Sequence, residues 1–337
     1  MPIVIRDGLA DWPAASKWSP EAFSSLSAQR KVTLSVSQSG VFRYKSDGSP
    51  LDPDNQLIFH DVPFPAAARH IIEEADGLKY YVSQQSLAEK LPELLADLRF
   101  PETGPATTNL WFGSAGTVSP LHFDKANNLF AQVFGTKTFV IFPPNDAEYL
   151  YPFPEGTAMS HVSQVDLDNQ DPVKFPLVRE ATGCEFQVRE GELLFLPAFW
   201  WHQVRSDTVS ISANKWWQPR LEQCSVPAGL QLLRAEYLAD TWTGLRRVLN
   251  ISNEALTDVV KNSTNTSLPL AILALSVIVK GRGAAGNADG IPPELNSQLG
   301  RLVDAVLSGT AIHREDARPV VTGILDSISQ AQGAECS

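Results

Sequence analysis

The chain has 337 residues, of which 43% are hydrophobic and 19% charged; this describes an ordinary globular protein, longer than one compact core usually needs. Its 38 acidic and 27 basic residues leave a net charge of −11. That balance counts against wrapping nucleic acid or lying on an anionic membrane, since both draw affinity from clustered Lys and Arg, although a locally basic pocket stays compatible with it.

The N-terminal stretch Met-Pro-Ile-Val-Ile-Arg-Asp has no basic region followed by a long apolar run, so no secretory signal is expected. The most apolar segment, Leu268 to Val279, is too short for a bilayer and reads as a buried helix. Cys184, Cys224 and Cys336 are widely spaced and odd in number. They fit reduced thiols in a cytosolic protein, or a nuclear one in a eukaryote. The sequons at Asn250, Asn262 and Asn265 carry little weight in such a compartment.

In chain order, short β-prone runs fall at Lys31–Ser37, Lys79–Gln84, Asn109–Gly113, Asn128–Phe134, Lys137–Phe142, Glu185–Val188, Glu192–Leu196 and Thr208–Ala213. Each is bounded by Gly, Pro, Asn or Asp, and several alternate, with Val209 and Ile211 on one face. One helix interrupts them. Ser86 and Glu89 form a capping-box pattern ahead of Leu87, Leu91, Leu94, Leu95 and Leu98, which predicts a helix over 87–98. Many short strands with Pro/Gly turns suggest a double-sheet jelly roll or another sandwich. After about Ser225 the spacing turns helical, in Leu230 to Leu238 and again in Leu299, Leu302, Val303, Val306 and Leu307, with a Gly/Ala-rich loop at Gly281–Gly290. The expected organisation is a mainly β catalytic domain over 1–224 and a C-terminal helical bundle over 225–337.

The sequence Ser119-Pro-Leu-His122-Phe-Asp124 holds the only His-x-Asp of the chain. On an extended strand, residues two apart project to one face, so both side chains can reach one point. The candidate third ligand is His202, where an apolar strand ends at Pro197 and a short turn presents the histidine. Two histidines and one carboxylate on an octahedral face leave three positions open, which suits non-haem iron(II) oxygenases. Taken alone, His-x-Asp is a weak signal. His313-Arg-Glu315 has the same spacing in helical sequence, where i and i+2 do not share a face. His60, His70 and His161 read as structural or solvated.

Context sharpens the pattern. The run Asn109-Leu-Trp-Phe-Gly-Ser-Ala-Gly-Thr-Val-Ser-Pro-Leu-His-Phe-Asp through Lys137-Thr-Phe-Val-Ile-Phe-Pro-Pro resembles the JmjC/cupin-like oxygenases, in the small-hydroxylase branch around factor inhibiting HIF. Tyr149-Leu-Tyr-Pro, Ser163-Gln-Val-Asp166 and Gly191–Val204 extend the likeness, which covers about Tyr80 to Trp217. The resemblance implies a double-stranded β-helix of the cupin or jelly-roll type. It also implies iron(II) on His122, Asp124 and His202, with 2-oxoglutarate as co-substrate and dioxygen as oxidant. By the same likeness Lys137 pairs with the distal carboxylate of 2-oxoglutarate, and Ser119 hydrogen-bonds that carboxylate. Tyr81 contacts the co-substrate, with the register between Tyr80 and Tyr81 left open. Asn128 and Asn214 lie near its chelating end. A lysine emerging from an apolar strand needs an anion to offset desolvation, which agrees with the first of these roles.

Trp111, Trp200, Trp201, Trp216 and Trp217 read mainly as packing, with Trp111 singled out for substrate contact. Lys215, where relatives carry an aromatic residue, and Gln170, where they carry proline, depart from the pattern and leave the substrate unassigned. The expected activity is hydroxylation of a protein or peptide side chain with release of succinate and carbon dioxide. A free amino acid or small metabolite is the alternative substrate. A non-catalytic cupin scaffold and a cupin enzyme working without 2-oxoglutarate are the competing classes. Related enzymes often dimerise through C-terminal helices, so a homodimer is expected.

Overall fold

The computed structural model describes residues 1–43, 50, 52, 54–154, 159–219, 272, 275, 276, 279, 291–307 and 312–334. The chain forms two compact units, Met1–Gln218 and Pro219–Ser337.

The first unit is built on two antiparallel sheets. Its strands are β1 (Ile3–Ile5), β2 (Lys31–Ser37), β3 (Gln56–Pro63), β4 (Lys79–Ser86), β5 (Ala106–Gly113), β6 (Val118–Phe123), β7 (Asn127–Phe134), β8 (Thr136–Phe142), β9 (Cys184–Arg189), β10 (Leu193–Leu196), β11 (Trp201–Ser206) and β12 (Ser210–Trp217). The larger sheet runs β1-β10-β7-β12-β5-β4-β2-β3 and the smaller β6-β11-β8-β9. This is a mainly β architecture of two antiparallel sheets, consistent with the expected jelly roll. Short helices α1 (Pro13–Lys17), α2 (Pro20–Ser24), α3 (Phe64–Glu73) and α4 (Leu87–Lys90) accompany the sheets.

Period-two alternation decides what each face does. On the central strands Leu110 and Phe112 of β5, Leu129, Ala131 and Val133 of β7, and Ile211 and Ala213 of β12 join Trp18, Phe23, Phe64 and Ile71 in one core. Their neighbours Asn109, Asn128, Gln132, Ser212 and Asn214 are buried as well. Strands covered on both faces lose the polar-out half of the pattern, yet here the second face is buried and polar. A separate cluster of Phe130, Phe139, Ile141, Val188, Leu194 and Leu196 joins strands of the two sheets.

All eight expected strands occur. β1, β3, β6 and β11 come in addition. The segment 87–98 differs from a single helix: α4 stops at Lys90, and a 3₁₀ helix follows over Pro92–Asp97. Pro92 disfavours helical backbone at Leu91, which sits at φ −141°. Ser86 makes no side-chain cap bond. Leu87, Leu91, Leu94 and Leu98 are nonetheless all buried. β10 ends at Leu196, ahead of Pro197, as expected, but His202 belongs to the next strand, β11, rather than to the turn.

In the second unit, helices α5 (Pro293–Leu307) and α6 (Arg314–Ala334) contribute Leu299, Val320, Val321, Ile324 and Leu325 to one cluster. Ile272, Leu275 and Val279, from the apolar run read as a helix, are buried in the same cluster. The Leu230–Leu238 pattern, the Gly281–Gly290 loop, Cys224, Cys336 and the three sequons lie outside the described residues. Among the described residues no helix is long and apolar enough to cross a membrane.

Gly135 sets the β7–β8 turn. Its φ is +76°, and a Cβ there would meet the Val209 carbonyl oxygen at 2.3 Å. Gly135→Ala is therefore expected to destabilise the unit by about 2 kcal/mol or more, read as a lowered urea midpoint with unchanged slope.

Candidate metal centre and cavity

Two strand segments build the centre. β6 and β11 pair antiparallel with His202 directly opposite His122, and their ring centroids lie 4.2 Å apart. Asp124 follows β6 by one residue. Its carbonyl accepts a 2.8 Å hydrogen bond from the Phe199 backbone N–H, which ties the turn before β11 to the end of β6. Phe199 sits at φ +66° to make that turn. Pro197 cannot donate to a ladder, so the chain bends there and resumes pairing at Trp201.

Each histidine is oriented by the carbonyl two residues before it. The Nδ1 of His122 lies 2.7 Å from Pro120 O, and that of His202 lies 2.9 Å from Trp200 O. A carbonyl only accepts, so both rings carry the proton on Nδ1 and present a bare Nε2 lone pair. This is the tautomer a metal needs, held by its supporting contact. The ligating atoms of His122, Asp124 and His202 lie within 4.8 Å of one another. The His202 Nε2 to Asp124 Oδ2 distance of 3.7 Å is longer than a hydrogen bond. Burial raises the Asp124 carboxyl above its ordinary range and pushes the His202 imidazole well below its own. A divalent cation would offset both, because it favours the carboxylate and the neutral ring. The donor set fits iron(II): two imidazoles and a carboxylate, converging from one side.

The centre opens onto a cavity of about 790 Å3. Lys137 projects into it from β8. It is 2% exposed, and its Nζ lies 3.4 Å from the Tyr81 hydroxyl and over the rings of Tyr81 and Phe130. Among the described residues it has no carboxylate partner, and burial lowers its pKa to about 7.

Ser119, Tyr81, Asn128 and Trp111 line the same cavity. Tyr80 does not: its hydroxyl bonds Asp76 on the other side of β4. Asn214 is fully buried and stands behind the wall. Its Oδ1 accepts from Trp111 Nε1 at 2.8 Å and from Asn109 at 3.3 Å, while its Nδ2 donates to Asn128 Oδ1 at 3.0 Å. It thus connects two lining residues without lining the cavity itself. Lys215 donates to the Pro101 carbonyl and Gln170 to Leu167, so both departures from the family pattern lie off the cavity.

His161 and His60, read from sequence as structural or solvated, line the cavity. The His161 backbone oxygen accepts from Phe123 N at 2.9 Å, and desolvation, then the His122 charge, lowers its imidazole to about 4. Nothing in a polar loop sequence signals that position; the bridge between His122 and Val162 creates it.

Residues 1–223 match the cupin-like domain family. The chain is similar to lysine-specific demethylase 8 of Xenopus tropicalis, 33% identical over 226 residues, 64% of this chain and 48% of that protein. It is similar also to the human bifunctional peptidase and (3S)-lysyl hydroxylase JMJD7, 30% identical over 248 residues, 64% of this chain and 77% of that protein. A third relative is human tRNA wybutosine-synthesizing protein 5, 27% identical over 243 residues, 66% of this chain and 72% of that protein. The chain spans about half the length of the relatives named as lysine-specific demethylases. With the match covering the whole β unit, the chain belongs to the cupin-like domain family and, within it, to the JmjC-type oxygenases.

Proposed function

We propose that the protein is an iron(II)- and 2-oxoglutarate-dependent oxygenase that hydroxylates a protein or peptide side chain and releases succinate and carbon dioxide. One observation carries this reading: a two-histidine, one-carboxylate cluster and a buried lysine without an anion face one cavity. His122, Asp124 and His202 would hold the iron. Iron and 2-oxoglutarate together supply oxygen activation, the oxidative decarboxylation of the co-substrate offsetting the insertion of oxygen into a C–H bond.

The chain's own residues prepare the site. Pro120 and Trp200 carbonyls keep the imidazoles turned and unprotonated at Nε2. Lys137, with the Tyr81 hydroxyl beside it, receives the far carboxylate of the co-substrate, and Ser119 lies on the same wall. An unpartnered ammonium buried this deeply favours its neutral form, and a bound carboxylate reverses that preference. Asn214 keeps Asn128 and Trp111 in register on opposite parts of the cavity wall. Phe130 and Phe139 exclude water around the lysine stem. The three relatives bear names that differ in substrate, so family membership leaves the target open; a peptide side chain is the reading argued from the hydroxylase likeness.

A scaffold protein would not require Lys137 or a matched tautomer pair, and a metal enzyme without 2-oxoglutarate would have no second carboxylate for Lys137. Anaerobic addition of iron(II) and 2-oxoglutarate should give a weak visible charge-transfer band; a folded protein that shows none refutes the proposal. His202→Ala should abolish succinate formation, and full turnover in that variant would remove His202 from the ligands. Lys137→Met should weaken 2-oxoglutarate binding about 100-fold, corresponding to about 3 kcal/mol, measured by titrating that band.

Lys137 also predicts a pH effect on the protein without co-substrate. Its pKa is about 7 folded and about 10.4 unfolded, so the unfolded chain binds more protons between those values. Its contribution to stability therefore rises with pH across that window and is lost on acidification through it. Urea midpoints from pH 7 to pH 9 should show a rise that Lys137→Met lacks.

A further inference from the structure

We infer that the prime substrate carries a carboxylate, and that Arg43 and Lys125 recognise it. The inference rests on the oxygenase reading above and adds the substrate class. The cavity exceeds what one ion and a five-carbon diacid occupy, and its lining continues from the metal centre to the strands β2, β3 and β4.

Charge decides what that extra space accepts. Among the described residues lining it, Asp124 is the sole carboxylate, and the triad uses it. The formal charges of iron(II), Asp124, the 2-oxoglutarate dianion and a protonated Lys137 cancel. The loaded centre is therefore neutral, which leaves Arg43 and Lys125 as the further formal charges among the described lining residues, the Arg43 charge being felt also by the exposed Asp52 outside the lining. Neither forms an ion pair among the described residues. Arg43 is half-buried, and Lys125 stands exposed one residue beyond the ligand Asp124. Two like charges at a concave, partly desolvated wall concentrate positive potential there, although the chain as a whole carries −11.

The β3–β4 rim contributes hydrogen-bonding groups, and the acidic Asp61 at the β3 bulge is exposed and is not among the described lining residues. Bulges in β3 and β4, with Asp61 at φ +55° and Gln84 at φ +49°, interrupt the ladders on either side of Thr33. His60 and Gln84 reach the cavity from these bulges. Among the described lining residues, a lysyl or arginyl side chain entering here would meet two cations and no carboxylate beyond Asp124. A carboxylate would meet charge-assisted donors. An acidic residue in a peptide and a free acidic metabolite share that chemistry.

The test uses the full chain loaded with iron(II) and 2-oxoglutarate. Short peptides identical except for a central Asp, Glu, Asn, Lys or Arg, and free aspartate and glutamate, are compared by succinate release, by gain of one oxygen in mass spectrometry, and by quenching of the cavity tryptophan fluorescence on binding. Acidic ligands should exceed their lysyl and arginyl counterparts by about tenfold or more in binding, with the peptide and free-acid arms showing which source is used. Arg43→Glu and Lys125→Glu should each reduce that preference, with Lys125→Gln as the milder check and circular dichroism confirming the fold. Equal or tighter binding of the lysyl, arginyl or asparaginyl peptide overturns the inference, as does an acidic preference that survives both charge reversals. If 2-oxoglutarate binds normally while acids gain no advantage, this inference alone fails; if 2-oxoglutarate does not bind, the oxygenase reading fails with it.

Discussion

Antiparallel pairing of β6 with β11 is the constraint on which the site depends. It sets His122 and His202 side by side although 80 positions of sequence separate them, and it lets the same local device orient both rings. In each case an imidazole turns back to the carbonyl two residues earlier on its own strand. The metal-binding tautomer thus follows from backbone geometry rather than from a dedicated acidic partner. Adding a carboxylate beside either ring would have raised the negative charge around Asp124; a carbonyl fixes the proton without doing so.

The larger sheet answers a second problem, how to keep polar groups inside a protein core. Burying an unsatisfied amide is costly, and the inward face of β5, β7 and β12 carries several. They satisfy one another across strands: Ser212 donates to Gln132, and Asn214 joins Asn109, Asn128 and Trp111. Hydrogen bonds between side chains on three neighbouring strands hold the wall at fixed spacing, and Asn128 and Trp111 of that wall line the cavity. Lys137, from β8 of the smaller sheet, lines the same cavity and has no carboxylate partner among the described residues. Its contrast with the fully partnered amides marks it as built for something that arrives from outside the chain.

Much of this was legible in the residues. The strands bounded by Gly, Pro and Asn came through because alternation and turn chemistry are local. His-x-Asp on a strand was legible for the same reason, since two residues on an extended backbone must share a face. The capping-box helix failed at Leu91, where the steric demand of Pro92 overrode the leucine spacing. β1 is too short, and β3 too exposed along most of its length, to show a clear pattern. His161 and His60, read as structural or solvated, line the cavity, His60 as an exposed residue of β3 and His161 half-buried, and nothing local distinguishes a histidine facing open solvent from one at a cavity wall. Long-range register decides that, through the bridge at Val162 and the bulge beside Thr33. Asn214 shows the converse: the family resemblance puts it near the chelating end of the co-substrate, whereas hydrogen-bond geometry places it behind the cavity wall, joined to Trp111 and Asn128.

The bulges link fold to selectivity. A one-residue slip in a strand exchanges its faces, and register shifts occur in β12–β7 between Ile211 and Ser212 and in β11–β6 between His202 and Val204 as well as in β3 and β4. β3 and β4 flank β2 near the end of the sheet, where a bulge re-aims side chains without disturbing the centre. The candidate metal ligands come from β6, its following residue and β11, Lys137 and Ser119 from the same small sheet, the amide wall from the middle of the large one, and the bulged rim from its β3 end. In such an arrangement the rim can change the substrate accepted while the groups beneath it stay the same, and the relatives this chain resembles bear names that differ in what they act on.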